Sequence, residues 1–238
     1  MNAQQLKTAI LQEAIEGRLV PQDPNDGIVN PANNYITPKK ISNFDEYLFD
    51  IPESWKWCKM FQVSDLLGGF AFKSEDLKSS NGIRVIRISD IAPQGLTNKN
   101  IVRCSLKGVS DRYSIKSNDI LIAMTGGTVG KSLLLRSLPE PIYLNQRVAV
   151  IRARNDIYIN YLDLLIKSPL IQKIICDVKN STNDNISMAD IAGFPIPLPP
   201  LAEQQRIVAK IEELLPKVEE YGKAQEALDR LNANFQND

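Results

Sequence analysis

The apolar positions of this chain change period three times. From Ala3 to Arg18, the residues Leu6, Ala9, Ile10, Leu11, Ala14 and Ile15 recur at helical spacing, and Gly17 follows as a stop signal. At about 100° per residue these positions spread over half the circumference, so the helix has room to touch more than one neighbour. Residues 21–38 are rich in Pro, Asn, Asp and Gly and predict a linker. From Trp55 to about Arg154 the period falls towards two. Ile83–Ile88 interleaves basic with β-branched residues, Asp119–Met124 reads as a buried strand, and Arg147–Arg152 alternates like a half-buried one. Ile159–Val178 returns to helical spacing through Leu162, Leu165, Ile166, Leu170, Ile174 and Ile175. Asn180–Asn185 predicts a polar loop, and the prolines of Ile196–Pro200 force an extended segment.

The last stretch carries a heptad seam. Steps of four and three from Ile207 give Ile207, Ile211, Leu214, Val218, Tyr221, Gln225, Leu228, Asn232 and Phe235, seven of them apolar. Gln225 and Asn232 share one core position, where a polar residue sets register or partner number at some cost in stability. One helix over Leu201–Phe235 would be about 52 Å long. Pro216 and Gly222 lie inside it and could bend or interrupt it, and Pro216 could instead open a second helix. The seam fits a partner helix in cis or in trans, or packing on the helix's own domain.

Composition narrows the classes. The 238 residues include three Cys, no His and equal numbers of basic and acidic residues. No run of about 18 apolar residues predicts a membrane span, and Met1–Leu6 lacks the apolar core of a signal peptide. Cys58, Cys104 and Cys176 have no ligand spacing and read as reduced, cytosolic and structural. Without histidine there is no Ser-His-Asp or Cys-His pair and no His-ligated metal site. The zero net charge is uneven: residues 82–152 hold eleven basic and four acidic side chains, a local excess of +7. Such a basic middle is a possible polyanion footprint, although any large surface segment fluctuates in charge.

Thr125–Ser132 (Thr-Gly-Gly-Thr-Val-Gly-Lys-Ser) imitates a nucleotide-binding loop. The phosphate-cradling pattern needs a glycine where Thr125 stands, and Leu133–Leu135 continues as a strand and not as a long helix. A glycine-rich loop with Thr and Lys still suits a nucleic-acid phosphate backbone, because glycine lets backbone donors approach closely.

Several segments together resemble the specificity subunit of type I restriction-modification systems. They are Ile196–Glu212 (Ile-Pro-Leu-Pro-Pro-Leu-Ala-Glu-Gln-Gln-Arg-Ile-Val-Ala-Lys-Ile-Glu), Leu6–Pro21, Ile51–Trp57, Asn118–Ile122 with the Thr125–Lys131 loop, and Asn145-Gln146. The resemblance implies an α+β chain in four segments. An N-terminal spacer helix spans 1–20, a linker 21–50, a β-rich target-recognition domain 51–200 and a C-terminal coiled-coil spacer helix 201–238. Typical members alternate two recognition domains with two spacers, whereas this chain carries one of each. It therefore resembles a half-size subunit, which implies a homodimer through the spacer helices reading two inverted half-sites.

The resemblance further implies a cytoplasmic, non-catalytic DNA-binding subunit without cofactor or metal, whose partners are methyltransferase and restriction subunits. No Asn-Pro-Pro-Tyr methylation motif is present; Asn30-Pro31-Ala32-Asn33 is not one. The alternative is a truncated or silent recognition-domain partner acting only through its coiled coil. Arg and Lys suit guanine and Gln suits adenine, so Arg84, Arg112, Gln146 and Arg147 are the candidate base readers. Lys73, Ser74, Thr128, Lys131 and Lys179 are candidate phosphate contacts. Ser181, Thr182 and Asn185 either touch DNA or order their own loop.

Overall fold

The computed structural model describes residues 1–29, 37–78, 81–92, 94–105, 109–181 and 184–235. These residues form two compact units, one of Met1–Val29, Phe49–Lys56 and Pro197–Asp238, the other of Asn30–Leu48 and Trp57–Ile196. The architecture is α+β: in chain order, an N-terminal helix, a β-rich stretch with small helices and a long C-terminal helix. Among the described residues the α-helices are α1 Ala3–Ile15, α2 Met60–Val63, α3 Ile159–Ile166, α4 Pro169–Ser181, α5 Met188–Gly193 and α6 Leu201–Phe235. The strands are β1 Lys56–Lys59, β2 Ser64–Gly68, β3 Leu77–Lys78, β4 Ile83–Ile86, β5 Ile91–Ala92 and β6 Gly95–Leu96. They continue with β7 Val102–Cys104, β8 Asp119–Ala123, β9 Ser132–Leu135, β10 Ile142–Leu144, β11 Val148–Ala153 and β12 Pro195–Leu198. β1 and β12 form a two-stranded ribbon, and β5 and β6 a short hairpin.

In the first unit α1 lies antiparallel to α6. Asn2 caps α1 in a reciprocal box with Gln5, satisfying two of the orphan donors at the helix start. Gly17 ends the turn at φ 73°, and a Cβ there would stand 2.4 Å from Pro52, so glycine serves both conformation and packing. At the other end of the pair, the Tyr221 hydroxyl donates to the Met1 carbonyl (3.0 Å) and Gly222 faces Ala3.

A polar network ties the start of α6 to both neighbouring segments. Glu203 is buried and accepts from Trp55 Nε1 (2.9 Å) and Gln22 Nε2 (2.5 Å). Arg206 forks onto Asp26 at 3.1 and 2.5 Å. Desolvation raises the Glu203 pKa, and its hydrogen bonds only partly oppose that rise.

The seam expectation divides. Ile207, Ile211 and Val218 are buried inside this unit, so that part of the seam is filled in cis. Leu214 and Gln225 are half-buried, while Tyr221, Leu228 and Asn232 are exposed. The Phe235 side chain lies outside the described residues. The helix runs unbroken through Pro216.

In the second unit an antiparallel sheet is ordered β2-β11-β8-β9, and a mixed one β10-β4-β7-β3. A core of Leu121, Ala123, Leu133, Leu135, Val148 and Val150 from the first sheet and Ile86, Ile142 and Leu144 from the second joins the two. A second cluster holds Phe72, Val85, Cys104 and Tyr143. The stretch of helical spacing over Ile159–Val178 divides into α3 and α4 around Ser168, because Pro169 lacks an N–H and disfavours helical backbone before it.

Candidate nucleic-acid interface

Four loops meet at one end of the β2-β11-β8-β9 sheet. The β8–β9 connection makes a single 3₁₀ turn at Gly126–Thr128, with Gly126 at φ 72° and Gly130 at φ 81°. A strand follows it, so no long helix N-terminus faces a phosphate there, as the nucleotide-binding loop would need. The Gly126 N–H donates to the Asp184 carbonyl (2.9 Å), Thr125 bridges Asn185, and the Ile186 N–H donates to the Met124 carbonyl. Gly130 presses on Ile175 of α4, where a Cβ would come within 2.9 Å. From the neighbouring strand, the Met124 N–H donates to the Arg147 carbonyl (3.0 Å).

The fourth loop holds Gly69 and Phe70. The Phe70 N–H donates to the Leu144 carbonyl and its own carbonyl accepts from Gln146 N (3.0 Å). A Cβ on Gly69 would fall 2.1 Å from the Asn145 carbonyl oxygen, so only glycine lets the two chains approach this closely. The Asn145 side chain accepts from Arg147 N (3.2 Å). The backbone of Gln146 and Arg147 is thus held from both sides, and both side chains are exposed.

Ion pairing sorts the basic residues of the second unit. Arg87 pairs with Asp90, Arg103 with Glu140 and Arg152 with Asp119. The Arg103 bond holds the Glu140 carboxyl below the usual range, and Asp119 raises the Arg152 pKa. Lys131 and Arg147 have no carboxylate within ion-pair range among the described residues, and both are exposed at the loop end. Lys179 pairs with Asp184 at 3.5 Å, and the exposed Lys73 with Glu75 at 3.6 Å. Ser74, also exposed, opens a 3₁₀ turn beside Lys73. Thr125 and Thr128 each bury a hydroxyl without a hydrogen-bond partner among the described residues.

Arg84 departs from the expectation that it reads bases. It is only 4% exposed, and its guanidinium donates to Asn98 Oδ1 (3.1 Å) and the Thr97 carbonyl (2.6 Å). The reason is strand alternation: Ile83 and Val85 face the second cluster, so Arg84 shares the opposite face with the core residue Ile86. Arg112 is exposed and lies over the Tyr113 ring, 4.6 Å from its centroid. Ser181 donates to its own helix at the Val178 carbonyl (2.8 Å), which favours a local role. Thr182 lies outside the described residues. Sequence reasoning missed Gly69, Phe70 and Tyr113. The Gly68-Gly69 pair before an aromatic was the available signal for the first two.

The sequence model of the type I restriction modification DNA specificity domain matches residues 52–227. The chain belongs to that family. It is 31% identical to the type I restriction enzyme EcoAI specificity subunit of Escherichia coli over 233 residues, covering 88% of this chain and 39% of that one. It is 28% identical to the EcoBI specificity subunit of the same species, covering 95% of this chain and 46% of that one. Against the HsdS subunit crystal structure from Thermoanaerobacter tengcongensis the TM-score is 0.63 at 20% identity, over 94% of this chain and 46% of that one. This specificity-family chain therefore spans less than half the length of these relatives. Among its described residues no helix is long and apolar enough to cross a membrane.

Proposed function

We propose that this chain is a sequence-specific DNA-binding subunit of a type I restriction-modification enzyme, reading one half-site of a bipartite target without catalysing a reaction. The carrying observation is the loop end of the β2-β11-β8-β9 sheet. There Gln146 and Arg147 extend from doubly held backbone, and Lys131 and Arg147 have no acidic partner among the described residues. Lys131 is placed to serve a phosphate, and Gln146 and Arg147 beside it have the donors for base edges. Methyltransferase and restriction subunits are the proposed protein partners, and the cytoplasm the proposed compartment.

Dimerisation through α6 belongs to the same reading. The helix continues thirteen residues beyond Gly222, where α1 begins, and there Leu228 is 57% exposed. An exposed leucine on a heptad seam fits a second helix better than water.

The test is selection of duplexes from a random pool by the chain assembled with a methyltransferase subunit, beside light scattering of the chain alone. Enrichment of two inverted half-sites at fixed spacing supports the reading. No enrichment overturns it and favours the coiled-coil interaction module. A monomeric mass at every concentration overturns dimerisation by the chain on its own.

A further inference from the structure

We infer that Arg112 is a specificity-determining residue that reads a guanine by a bidentate major-groove contact, held for that task by Tyr113. The inference rests on the DNA-recognition reading above and assigns one base contact within it. The described arginines of the second unit divide by what occupies their guanidinium. Arg87, Arg103, Arg152 and Arg154 face carboxylates, Arg84 is buried against Asn98 and Thr97, and Arg136 donates to Asn160. Arg147 is free but has no brace. Arg112 alone among them is both exposed and held by an aromatic ring: its guanidinium lies over Tyr113 and donates to the Tyr113 hydroxyl.

That ring is itself fixed. Tyr113 meets Phe70 edge-on at 5.2 Å, Phe70 meets Phe72 at 4.9 Å, and Phe72 stacks on Tyr143 of β10 at 6.3 Å. The backbone is pinned as well. Ser110 caps the turn by accepting from Arg112 N, Ser114 bridges Tyr143, and the Ile115 N–H donates to the Ile142 carbonyl (3.0 Å). Phe70 is also the residue whose carbonyl holds Gln146, so one aromatic frame supports Arg112 and the start of β11.

Preorganisation is what base reading needs. A guanidinium offers two parallel donors to guanine O6 and N7, and immobilising a long side chain is a main cost of such contacts. A ring beneath the guanidinium meets that cost before DNA arrives, and lysine cannot reproduce the planar fork. Phosphate binding would need neither ring nor plane.

The experiment repeats the random-pool selection for the chain with its methyltransferase subunit, using wild type, Arg112→Ala and Arg112→Lys. The expected result is loss of guanine preference at one position of each half-site in both variants, by about ten- to a hundredfold, with the other positions unchanged. Three results overturn the inference: an unaltered motif in Arg112→Ala, uniform weakening at all sequences, or full specificity in Arg112→Lys. The last two mean a phosphate contact by a point charge. A wild-type chain that enriches no motif overturns DNA recognition itself, and this inference with it.

Discussion

Arg147 and Arg152 sit five residues apart, one just before β11 and the other near its far end, and their surroundings differ completely. Arg152 forks onto Asp119, whose carboxylate is buried at the start of β8, with both bonds at 2.7 Å. Beside it Arg154 pairs with Asp65 of β2. At the other end Arg147 and Lys131 stand in solvent with no acidic partner among the described residues. One end of the sheet uses its charges to hold strands together; the other leaves them free. Charge alone, counted along the chain, cannot separate the two.

The contrast breaks most visibly at Asp119. Asp119→Ala strands the Arg152 guanidinium and removes the acceptor of Lys116 N (2.7 Å). Stability should fall by about 3 kcal/mol, because a paired charge has lost its partner. Arg147→Ala should change stability by no more than about 0.5 kcal/mol. Urea unfolding of both variants measures the difference, and equal losses would erase the distinction between the two ends.

Gly69→Ala tests whether the loop end is rigid as well as charged. The added Cβ meets backbone at Asn145 and Gln146, which cannot swing aside as a side-chain tip could. A cost of about 1–3 kcal/mol is expected, as for overpacking, with weaker DNA binding at native temperatures. An undisturbed variant would mean that the Gln146–Arg147 backbone is free to move.

Lys131→Ala should leave melting unchanged and affect only DNA. A lost phosphate contact weakens binding at all sequences and lowers the salt slope by about one. Binding titrations from low to moderate salt measure it. An unchanged slope in Lys131→Ala removes that residue from the interface.

Much of this was legible in the sequence. The stop at Gly17, the strand Asp119–Ala123 and the strand after Lys131 follow from local pattern, and the long helix from its heptads. What period two could not tell was which face of β4 is the core, so Arg84 looked like a surface cation. Nor could local pattern join Phe70, Phe72, Tyr113 and Tyr143, which come from separate stretches and meet only through strand pairing. The seam was legible as a seam, but α1 filling it in cis depends on a contact across some two hundred residues.

Titration offers the smallest test, with opposite signs for two carboxylates. Hydrogen bonding from Arg103 lowers the Glu140 pKa below its ordinary 4.5. Its contribution to stability is therefore present above that value and is lost as pH falls through the lowered one. Glu140→Gln should make acid unfolding slightly shallower there, whereas Arg147→Ala, with no carboxylate to release, should leave the acid limb as it is. Glu203 behaves in reverse. Burial raises its pKa above 4.5, so the folded state holds the proton longer, and stability declines as pH rises from 4.5 through the raised value. Glu203→Gln keeps an acceptor for Trp55 Nε1 and should remove that decline. Thermal melts of the three variants between acid and neutral pH separate the cases. An acid limb altered by Arg147→Ala would mean that Arg147 has an acidic partner in solution after all.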